Sequence, residues 1–180
     1  MKLVILDRDG VINEDSENYI KSPEEWLPIH GSLESIGKLC QNDFRVVIIT
    51  NQSGIGRKLF SIESLNSIHK KMNLYLARYG AIIDAIFFCT CKPEKNCSHR
   101  KPKSGLFNQV SERFGISLNN TFYVGDKITD IEAAIAAEAI PVLVKTGRGK
   151  DEIDRGVIPK NIAVYDDLAA FVSHIITQKK

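Results

Sequence analysis

Short apolar runs alternate with amphipathic stretches along most of the chain. Six runs are too short for helices and predict buried strands, at residues 3–6, 45–50, 85–88, 122–124, 142–144 and 162–165. Between them, apolar side chains recur with a helical period at residues 33–40, 62–79, 106–114, 130–138 and 167–176. Ser61 is expected to cap the second of these helices, and Gly115 to end the third. Alternating strands and helices predict a three-layer α/β fold, with a mostly parallel sheet covered on both faces.

The composition agrees with this fold and excludes several classes of protein. The chain has 180 residues, 43% hydrophobic and 26% charged, which is enough apolar material for one globular domain, 1–180. Its net charge of +2 is too small for a protein that binds nucleic acid by charge alone. No apolar run approaches the roughly 18 residues of a membrane span, and Asp7 interrupts any signal-peptide core. We therefore expect a soluble, cytoplasmic protein with no membrane partner.

Two acidic residues follow the first predicted strand. Because alternate residues of an extended segment share a side, Asp7 and Asp9 can approach one site, and Gly10 then lets the chain turn. Two neighbouring carboxylates repel each other unless a cation or a proton lies between them. Mg²⁺ suits this position best, because it prefers carboxylate, water and phosphate oxygens. The alternative is a solvated turn of ordinary acids.

Two other strand ends supply complementary groups. Residues 50–54 (Thr-Asn-Gln-Ser-Gly) offer hydroxyl, amide and backbone N–H groups that suit a phosphate oxygen. Asp126, after the fourth strand, can complete a metal site with the two earlier aspartates. Asp130 either caps the next helix or braces the loop. Since ligands bind at the carboxyl ends of parallel strands, these segments predict a site for phosphate and Mg²⁺.

Three of the four cysteines lie in a short segment beside a histidine. Cys89, Cys91, Cys97 and His99 supply three thiolates and one imidazole, the closed tetrahedral set of a structural zinc site. Four protein ligands leave no position for water, so the predicted role of Zn²⁺ is to fix the loop at about residues 89–103. The alternative is four unrelated residues near a turn. Cys40 stands alone and is expected to pack in the core.

Taken together, the motifs resemble those of the haloacid dehalogenase superfamily of phosphotransferases. The resemblance spans most of the chain and keeps the expected order of motifs. It implies a Rossmann-type fold and a Mg²⁺-dependent phosphatase that forms a covalent aspartyl-phosphate. The matching segments are Asp7-x-Asp9-Gly10, Thr50, a basic residue and Gly125-Asp126-x-x-x-Asp130.

The resemblance also implies a role for each of these residues. Asp7 would be the nucleophile that attacks phosphorus. Asp9 would protonate the leaving alcohol and later deprotonate the hydrolytic water. Thr50 would donate a hydrogen bond to the phosphoryl group, and Lys101 would offset its negative charge. Mg²⁺ would be held by Asp7, the Asp9 backbone carbonyl and Asp126.

Within the superfamily, residues 7–13, 50–57, 100–102 and 125–127 are similar to the heptose-bisphosphate and histidinol-phosphate phosphatases. Members of this group carry a zinc loop just before the Arg-Lys-Pro element, as this chain does. The similarity implies a phosphorylated sugar as substrate and loss of the 7-phosphate of D-glycero-D-manno-heptose 1,7-bisphosphate, a step toward lipopolysaccharide or related surface glycans. The residues expected to bind substrate are Asn51, Gln52, Ser53, Arg100 and Lys127.

Three other functions compete with this interpretation. Histidinol phosphate is the nearest rival substrate. A polynucleotide 3′-phosphatase is disfavoured by the near-neutral charge and by the lack of an aromatic stacking platform. A zinc-stabilised binding module is disfavoured because all the acids and cations needed for chemistry are present.

The chain leaves no room for a cap domain, so the expected enzyme is a capless monomer with an exposed site. Three features depart from the group's pattern: Val11, the lack of a glycine after Arg57 and a long segment after Asn13. The last two leave open whether residues 15–18 and Arg57 contact the substrate.

Overall fold

A computed structural model of the chain describes residues 1–177, and within them six parallel strands form one sheet. The strands are β1 (Lys2–Leu6), β2 (Phe44–Asn51), β3 (Ala85–Cys89), β4 (Phe122–Gly125), β5 (Ile140–Val144) and β6 (Ala163–Tyr165). Their order across the sheet is β3-β2-β1-β4-β5-β6, and each neighbouring pair is parallel. This arrangement confirms the predicted parallel sheet.

Helices cover both faces of the sheet. They are α1 (Ser32–Gln41), α2 (Ser53–Gly56), α3 (Ile62–Ala77), α4 (Gly105–Phe114), α5 (Ile128–Ala136), α6 (Gly149–Asp154) and α7 (Leu168–Thr177). Val4 and Leu6 of β1 pack in one cluster with apolar side chains of α1, α3 and α7. Leu3 and Ile5 pack on the opposite face with α4 and α5. Because successive strand residues point to opposite faces, β1 is buried on both sides.

Two helix ends follow the signals predicted from the sequence. The Ser61 hydroxyl accepts a hydrogen bond from the Ser64 backbone N–H at 3.2 Å, as expected of an N-cap. Gly115 ends α4 with a φ of 63°, a left-handed conformation that glycine adopts without strain. The sequence pattern predicts no helix between β5 and β6, but α6 begins there at Gly149. Six residues are too few to show a helical period, so the pattern could not reveal this helix.

The sheet order places the polar motifs at one edge. The strand order reverses at β1, with β2 and β3 on one side of it and β4, β5 and β6 on the other. At such a point, a crevice opens at the carboxyl ends of the strands. Asp7, Thr50 and Asp126 all lie at this point in the sheet. None of the helices within residues 1–177 combines the length and hydrophobicity of a transmembrane segment.

Candidate active site

A cavity of about 300 Å³ opens at the carboxyl ends of β1, β2 and β4. The structure brings together there the catalytic and substrate-binding residues that the sequence predicted. They are Asp7, Asp9, Thr50, Asn51, Gln52, Ser53, Arg100, Lys101 and Lys127. The cavity is also lined by Asp15, Ser16 and Glu17, from the segment that the sequence left open, whereas Arg57 is outside this lining and pairs with Glu94 at 3.0 Å.

The Lys101 ammonium lies between two buried carboxylates at the floor of the cavity. Its Nζ is 2.9 Å from Asp7 Oδ2 and 2.6 Å from Asp130 Oδ1. It also donates a hydrogen bond to the Tyr123 hydroxyl at 2.8 Å. Burial alone would lower the pKa of Lys101, but attraction to Asp130 and Asp7 raises it above the usual value. The site therefore holds a fixed positive charge beside the expected nucleophile.

Asp7 is held in one orientation at the end of β1. Its Oδ1 accepts a hydrogen bond from the Arg8 backbone N–H at 2.8 Å, while Oδ2 faces Lys101. Burial raises the pKa of Asp7 to about 6, although the charge of Lys101 opposes the shift. A carboxylate with this pKa is ionised at neutral pH, as a nucleophile must be.

Three carboxylates converge where a cation would bind. Oxygen atoms of Asp7, Asp126 and Asp130 lie within 4.8 Å of one another. Asp126 Oδ2 accepts a hydrogen bond from the Arg148 backbone N–H at 2.9 Å, but its buried Oδ1 has no hydrogen-bond partner. Burial raises the pKa of Asp126 well above its ordinary value. An unpartnered carboxylate oxygen beside Asp7 fits a hard divalent cation such as Mg²⁺.

Two glycines with positive φ make room for the Asp126 carboxylate. Gly10 has a φ of 86° and Gly147 a φ of 58°, and a Cβ atom added to either would lie 2.2 Å from Asp126 Oδ2. Only a residue without a side chain fits at these positions. The chain thus approaches the expected metal site from two loops at once.

Asp130 performs both roles that the sequence left open. Its Oδ2 accepts hydrogen bonds from the backbone N–H groups of Asp126 and Lys127, at 3.2 and 3.0 Å, and so caps α5. Its Oδ1 braces Lys101. Burial favours the protonated acid, but attraction to Lys101 outweighs it and lowers the pKa of Asp130.

Asp9 has a fixed partner within the first motif itself. The Arg8 guanidinium forms an ion pair with Asp9 at 2.7 Å, and Asn13 and Gln52 each donate a hydrogen bond at 2.9 Å. Burial alone would raise the pKa of Asp9, but the charge of Arg8 and these hydrogen bonds lower it. The Asp9 side chain lies outside the group formed by Asp7, Asp126 and Asp130, so its expected contribution to the metal rests on its backbone carbonyl.

The residues at the carboxyl end of β2 support their neighbours within the cavity. Gln52 Nε2 donates a hydrogen bond to Thr50 Oγ1 at 3.0 Å, which leaves the Thr50 hydroxyl proton for a phosphoryl oxygen. Asn51 bonds to the backbone of Lys101 through both its amide nitrogen and its amide oxygen, each at 3.2 Å. Asn51 and Gln52, predicted as substrate contacts, therefore also fix Lys101 and Thr50.

Oppositely charged side chains face each other at the mouth of the cavity. Lys127 Nζ is 3.0 Å from Asp15 Oδ2, and Arg148 Nη2 is 2.8 Å from Glu17 Oε1. Burial opposes the charge of Lys127, but attraction to Asp126 and other acids raises the pKa of Lys127. Arg148 comes from the basic, glycine-rich segment at residues 145–150, from which the sequence predicted no site residue.

The three clustered cysteines come together beside this cavity. Sulfur atoms of Cys89, Cys91 and Cys97 lie within 4.8 Å of one another, and those of Cys89 and Cys97 are 3.7 Å apart. Hydrogen bonds from Cys91 and from the His99 backbone lower the pKa of Cys97 to about 6. This donor set fits zinc. His99 is exposed and lies outside the group of converging sulfur atoms, so its ligation stays a prediction.

Tyr123 is a member of the site that the sequence analysis missed. Its hydroxyl donates to Asp130 Oδ1 at 3.1 Å and accepts from Lys101, and its ring packs edge-on against Phe107. The residue lies in the short apolar run of β4 and resembles any other core aromatic there. A buried tyrosine hydroxyl needs a hydrogen-bond partner, which was the available signal.

Comparison with known proteins identifies the family. The family model described as polynucleotide kinase 3 phosphatase matches residues 2–154. Two relatives are named D-glycero-beta-D-manno-heptose-1,7-bisphosphate 7-phosphatase. The Bordetella bronchiseptica protein is 43% identical over 99% of both chains, and the Pseudomonas putida protein is 43% identical over 98% of this chain and 100% of its own.

Solved structures agree with these relatives. The crystal structure of D,D-heptose 1,7-bisphosphate phosphatase from B. bronchiseptica, complexed with magnesium and phosphate, aligns with a TM-score of 0.96 over 99% of both chains at 43% identity. The enzyme of the same name from Burkholderia thailandensis aligns with a TM-score of 0.78 over 98% of this chain and 99% of its own, at 41% identity. The chain therefore belongs to the polynucleotide kinase 3 phosphatase family and, within the haloacid dehalogenase superfamily, to the D,D-heptose 1,7-bisphosphate phosphatases.

Proposed function

We propose that the chain hydrolyses a phosphomonoester through an aspartyl-phosphate, and that its substrate is D-glycero-D-manno-heptose 1,7-bisphosphate, from which it removes the 7-phosphate. The observation that carries the mechanism is the buried Asp7 carboxylate paired with Lys101 at 2.9 Å, next to the unpartnered oxygen of Asp126. Full-length relatives at 43% identity that bear the name of this activity support the substrate.

Two displacements at phosphorus account for the reaction. In the first, a carboxylate oxygen of Asp7 bonds to phosphorus while the ester P–O bond breaks, and Asp9 gives its proton to the leaving alkoxide. In the second, Asp9 removes a proton from water, whose oxygen attacks phosphorus as the bond to Asp7 breaks. Thr50 donates a hydrogen bond to a phosphoryl oxygen, and the positive charge of Lys101 offsets the negative charge that grows on the phosphoryl group.

The geometry of Asp9 favours its role as base. Its contact with Arg8 keeps the carboxylate ionised, as the second displacement requires. For the first displacement Asp9 has to bind a proton on Oδ2, while Oδ1 keeps its hydrogen bonds to Nε and Nη2 of Arg8.

Mg²⁺ would be held by Asp7, Asp126 and the Asp9 backbone carbonyl, and when bound it supplies positive charge to the transferring phosphoryl group. The three converging carboxylates support this assignment. We further propose that Cys89, Cys91, Cys97 and His99 hold a structural Zn²⁺. Arg100 Nη1 donates to the Cys91 carbonyl at 3.2 Å, so order in the zinc loop would be transmitted to a cation of the cavity.

The mouth of the cavity suits the phosphate that does not react. Arg100, Lys127 and Arg148 all line it, and two of these cations face Asp15 and Glu17. A second phosphate group would replace those carboxylates as the partner of the cations. A bisphosphate therefore fits this cavity better than a monophosphate.

A second candidate is a polynucleotide 3′-phosphatase, because the matching family model bears that name. Phosphate release in the presence of Mg²⁺ from heptose 1,7-bisphosphate, histidinol phosphate and a 3′-phosphorylated oligonucleotide separates the candidates. Asp7→Asn is the inactive reference, and Asp154→Asn, at an exposed position of α6, is the matched control. A preference for histidinol phosphate or the oligonucleotide would refute the proposed substrate. If none of the three substrates releases phosphate, the proposed phosphatase activity toward them is wrong.

The remaining proposals concern the setting of the enzyme. We propose a cytoplasmic monomer that acts on a small phosphorylated molecule without a nucleic-acid or membrane partner. The net charge of +2 supports the lack of a nucleic-acid partner. Size-exclusion chromatography with light scattering tests the monomer.

A further inference from the structure

We infer that Arg8 and His69 are positioning residues that hold the Asp9 carboxylate in place for proton transfer. The inference rests on the proposed phosphatase function. Arg8 is fully buried and precedes Asp9 in the sequence. Among residues 1–177, Asp9 is the carboxylate with which Arg8 forms an ion pair.

The Arg8 side chain binds both oxygen atoms of Asp9. Nη2 donates to Oδ1 at 2.7 Å and to Oδ2 at 2.9 Å, and Nε donates to Oδ1 at 2.9 Å. A planar guanidinium in this forked geometry fixes the plane of the carboxylate as well as its position. Asn13 donates one more hydrogen bond to Oδ1, and Gln52 donates one to Oδ2.

The other end of the guanidinium rests on α3. His69 Nε2 lies 3.4 Å from Arg8 Nη1, and the His69 side chain is 8% exposed, with its ring edge-on to Phe88. Arginine has no acceptor atom, so Nε2 accepts this bond and the imidazole proton is on Nδ1. Burial lowers the pKa of His69 to about 4 and keeps the ring neutral, in agreement with this tautomer.

The contact with His69 restrains the rotation of the guanidinium. If Nη1 loses its acceptor, the fork can turn away from Asp9, and the carboxylate that it holds loses its fixed plane. Proton transfer requires hydrogen-bond reach and alignment, so such a change lowers the rate at which Asp9 protonates a leaving group. The sequence placed His69 on a helix with no acidic or cysteine neighbour, and only the fold brings it to the site.

The dependence of the rate on the leaving group tests this role. p-Nitrophenolate leaves without a proton, whereas the sugar alkoxide needs one, and kcat/KM reports the first displacement. For His69→Leu we expect kcat/KM to fall about tenfold for heptose 1,7-bisphosphate and less than about twofold for p-nitrophenyl phosphate. His69→Gln keeps an acceptor atom near Arg8 and should recover most of the loss.

Three controls make the outcome decisive. His30→Leu removes an exposed histidine far from Arg8 in the chain and should leave both rates unchanged. Arg8→Lys keeps the charge but removes the fork, and should reproduce the same unequal loss. Thermal unfolding verifies that each variant is folded.

An equal loss on both substrates, or no loss in His69→Leu, would overturn the inference and leave the proposed function intact. If the wild-type protein hydrolyses neither substrate in the presence of Mg²⁺, the proposed function and this inference are both wrong.

Discussion

Lys101 Nζ lies 2.9 Å from Asp7 Oδ2, and the exposed fractions of the two side chains are only 3% and 7%. Asp7 follows the central strand β1, whereas Lys101 lies in the cysteine loop, so the ion pair joins the sheet to a segment outside it. Both groups are desolvated, and each offsets the charge of the other. The charge of Lys101 therefore favours the ionised form of the nucleophile, and the loop holds that charge beside it.

Replacement of Lys101 by methionine should abolish most of the activity and destabilise the fold. The change leaves the carboxylates of Asp7 and Asp130 buried without their shared cation. Loss of one partner of a buried ion pair costs about 3–5 kcal/mol of unfolding free energy. Denaturant unfolding and phosphate release measure the two effects. Lys103→Met, at an exposed position of the same loop, should alter neither, and wild-type activity in Lys101→Met would contradict the role of the ammonium.

Replacement of Asp126 by asparagine should weaken Mg²⁺ binding but stabilise the metal-free protein. The Asp126 Oδ1 atom is buried without a hydrogen-bond partner, and burial raises its pKa, so the charge is unfavourable unless a cation is present. An amide at this position can donate to a neighbouring carboxylate. We expect metal-free stability to rise by about 1–3 kcal/mol, and Mg²⁺ affinity to fall because an amide oxygen carries no negative charge for the cation.

Titration calorimetry with Mg²⁺ and denaturant unfolding in a chelator measure these opposite effects. Asp130→Asn is the informative comparison, because the Asp130 carboxylate is fully hydrogen-bonded and its neutral variant should be less stable. A loss of metal-free stability in Asp126→Asn would argue against an unsatisfied cation site.

The sequence predicted the sheet and the strand-end acids because both depend on short-range signals. Asp7 and Asp126 each follow an apolar run, and the parallel strands then bring them together. Partners that meet only through the fold give no such local signal. Tyr123 occupies a core-like run, and His69 reaches Arg8 only because α3 packs beside β1's loop. The Arg8–Asp9 pair was also missed, since adjacent residues pair only in particular rotamers.

Replacement of Cys97 by serine should release zinc and lower activity. Cys97 is one of three converging sulfur donors, and Arg100 is bonded to the Cys91 carbonyl in the same loop. A loop without its metal would leave Arg100 and Lys101 less well ordered, and we expect a loss of roughly tenfold or more in kcat/KM. Metal analysis of the purified protein and phosphate release measure the two effects. Cys40→Ser, on α1, is the matched control, and full turnover without bound zinc would separate the loop from catalysis.

The pH dependence of stability should differ between the wild-type protein and His69→Gln. The pKa of His69 is lowered from 6.5 to about 4 by burial first and by the charge of Arg8 second. Between these pH values the unfolded chain binds more protons at this residue than the folded chain does, so its contribution to the free energy of unfolding rises with pH. The contribution is complete above pH 6.5 and is lost as the pH falls through about 4.

Asp7 acts in the opposite sense over much of the same range. Its pKa is raised from 3.8 to about 6, so its folded form binds more protons there and its contribution falls with rising pH. The pH dependence of the wild-type free energy of unfolding is therefore a poor test. The difference in this free energy between the wild-type protein and His69→Gln removes the Asp7 contribution. Denaturant unfolding in a chelator from pH 4 to 7 should show the wild-type stability gaining up to roughly 3 kcal/mol relative to the variant. Parallel curves would mean that His69 is as free to ionise in the folded protein as in the unfolded chain, and that its contact with Arg8 does not hold the ring neutral.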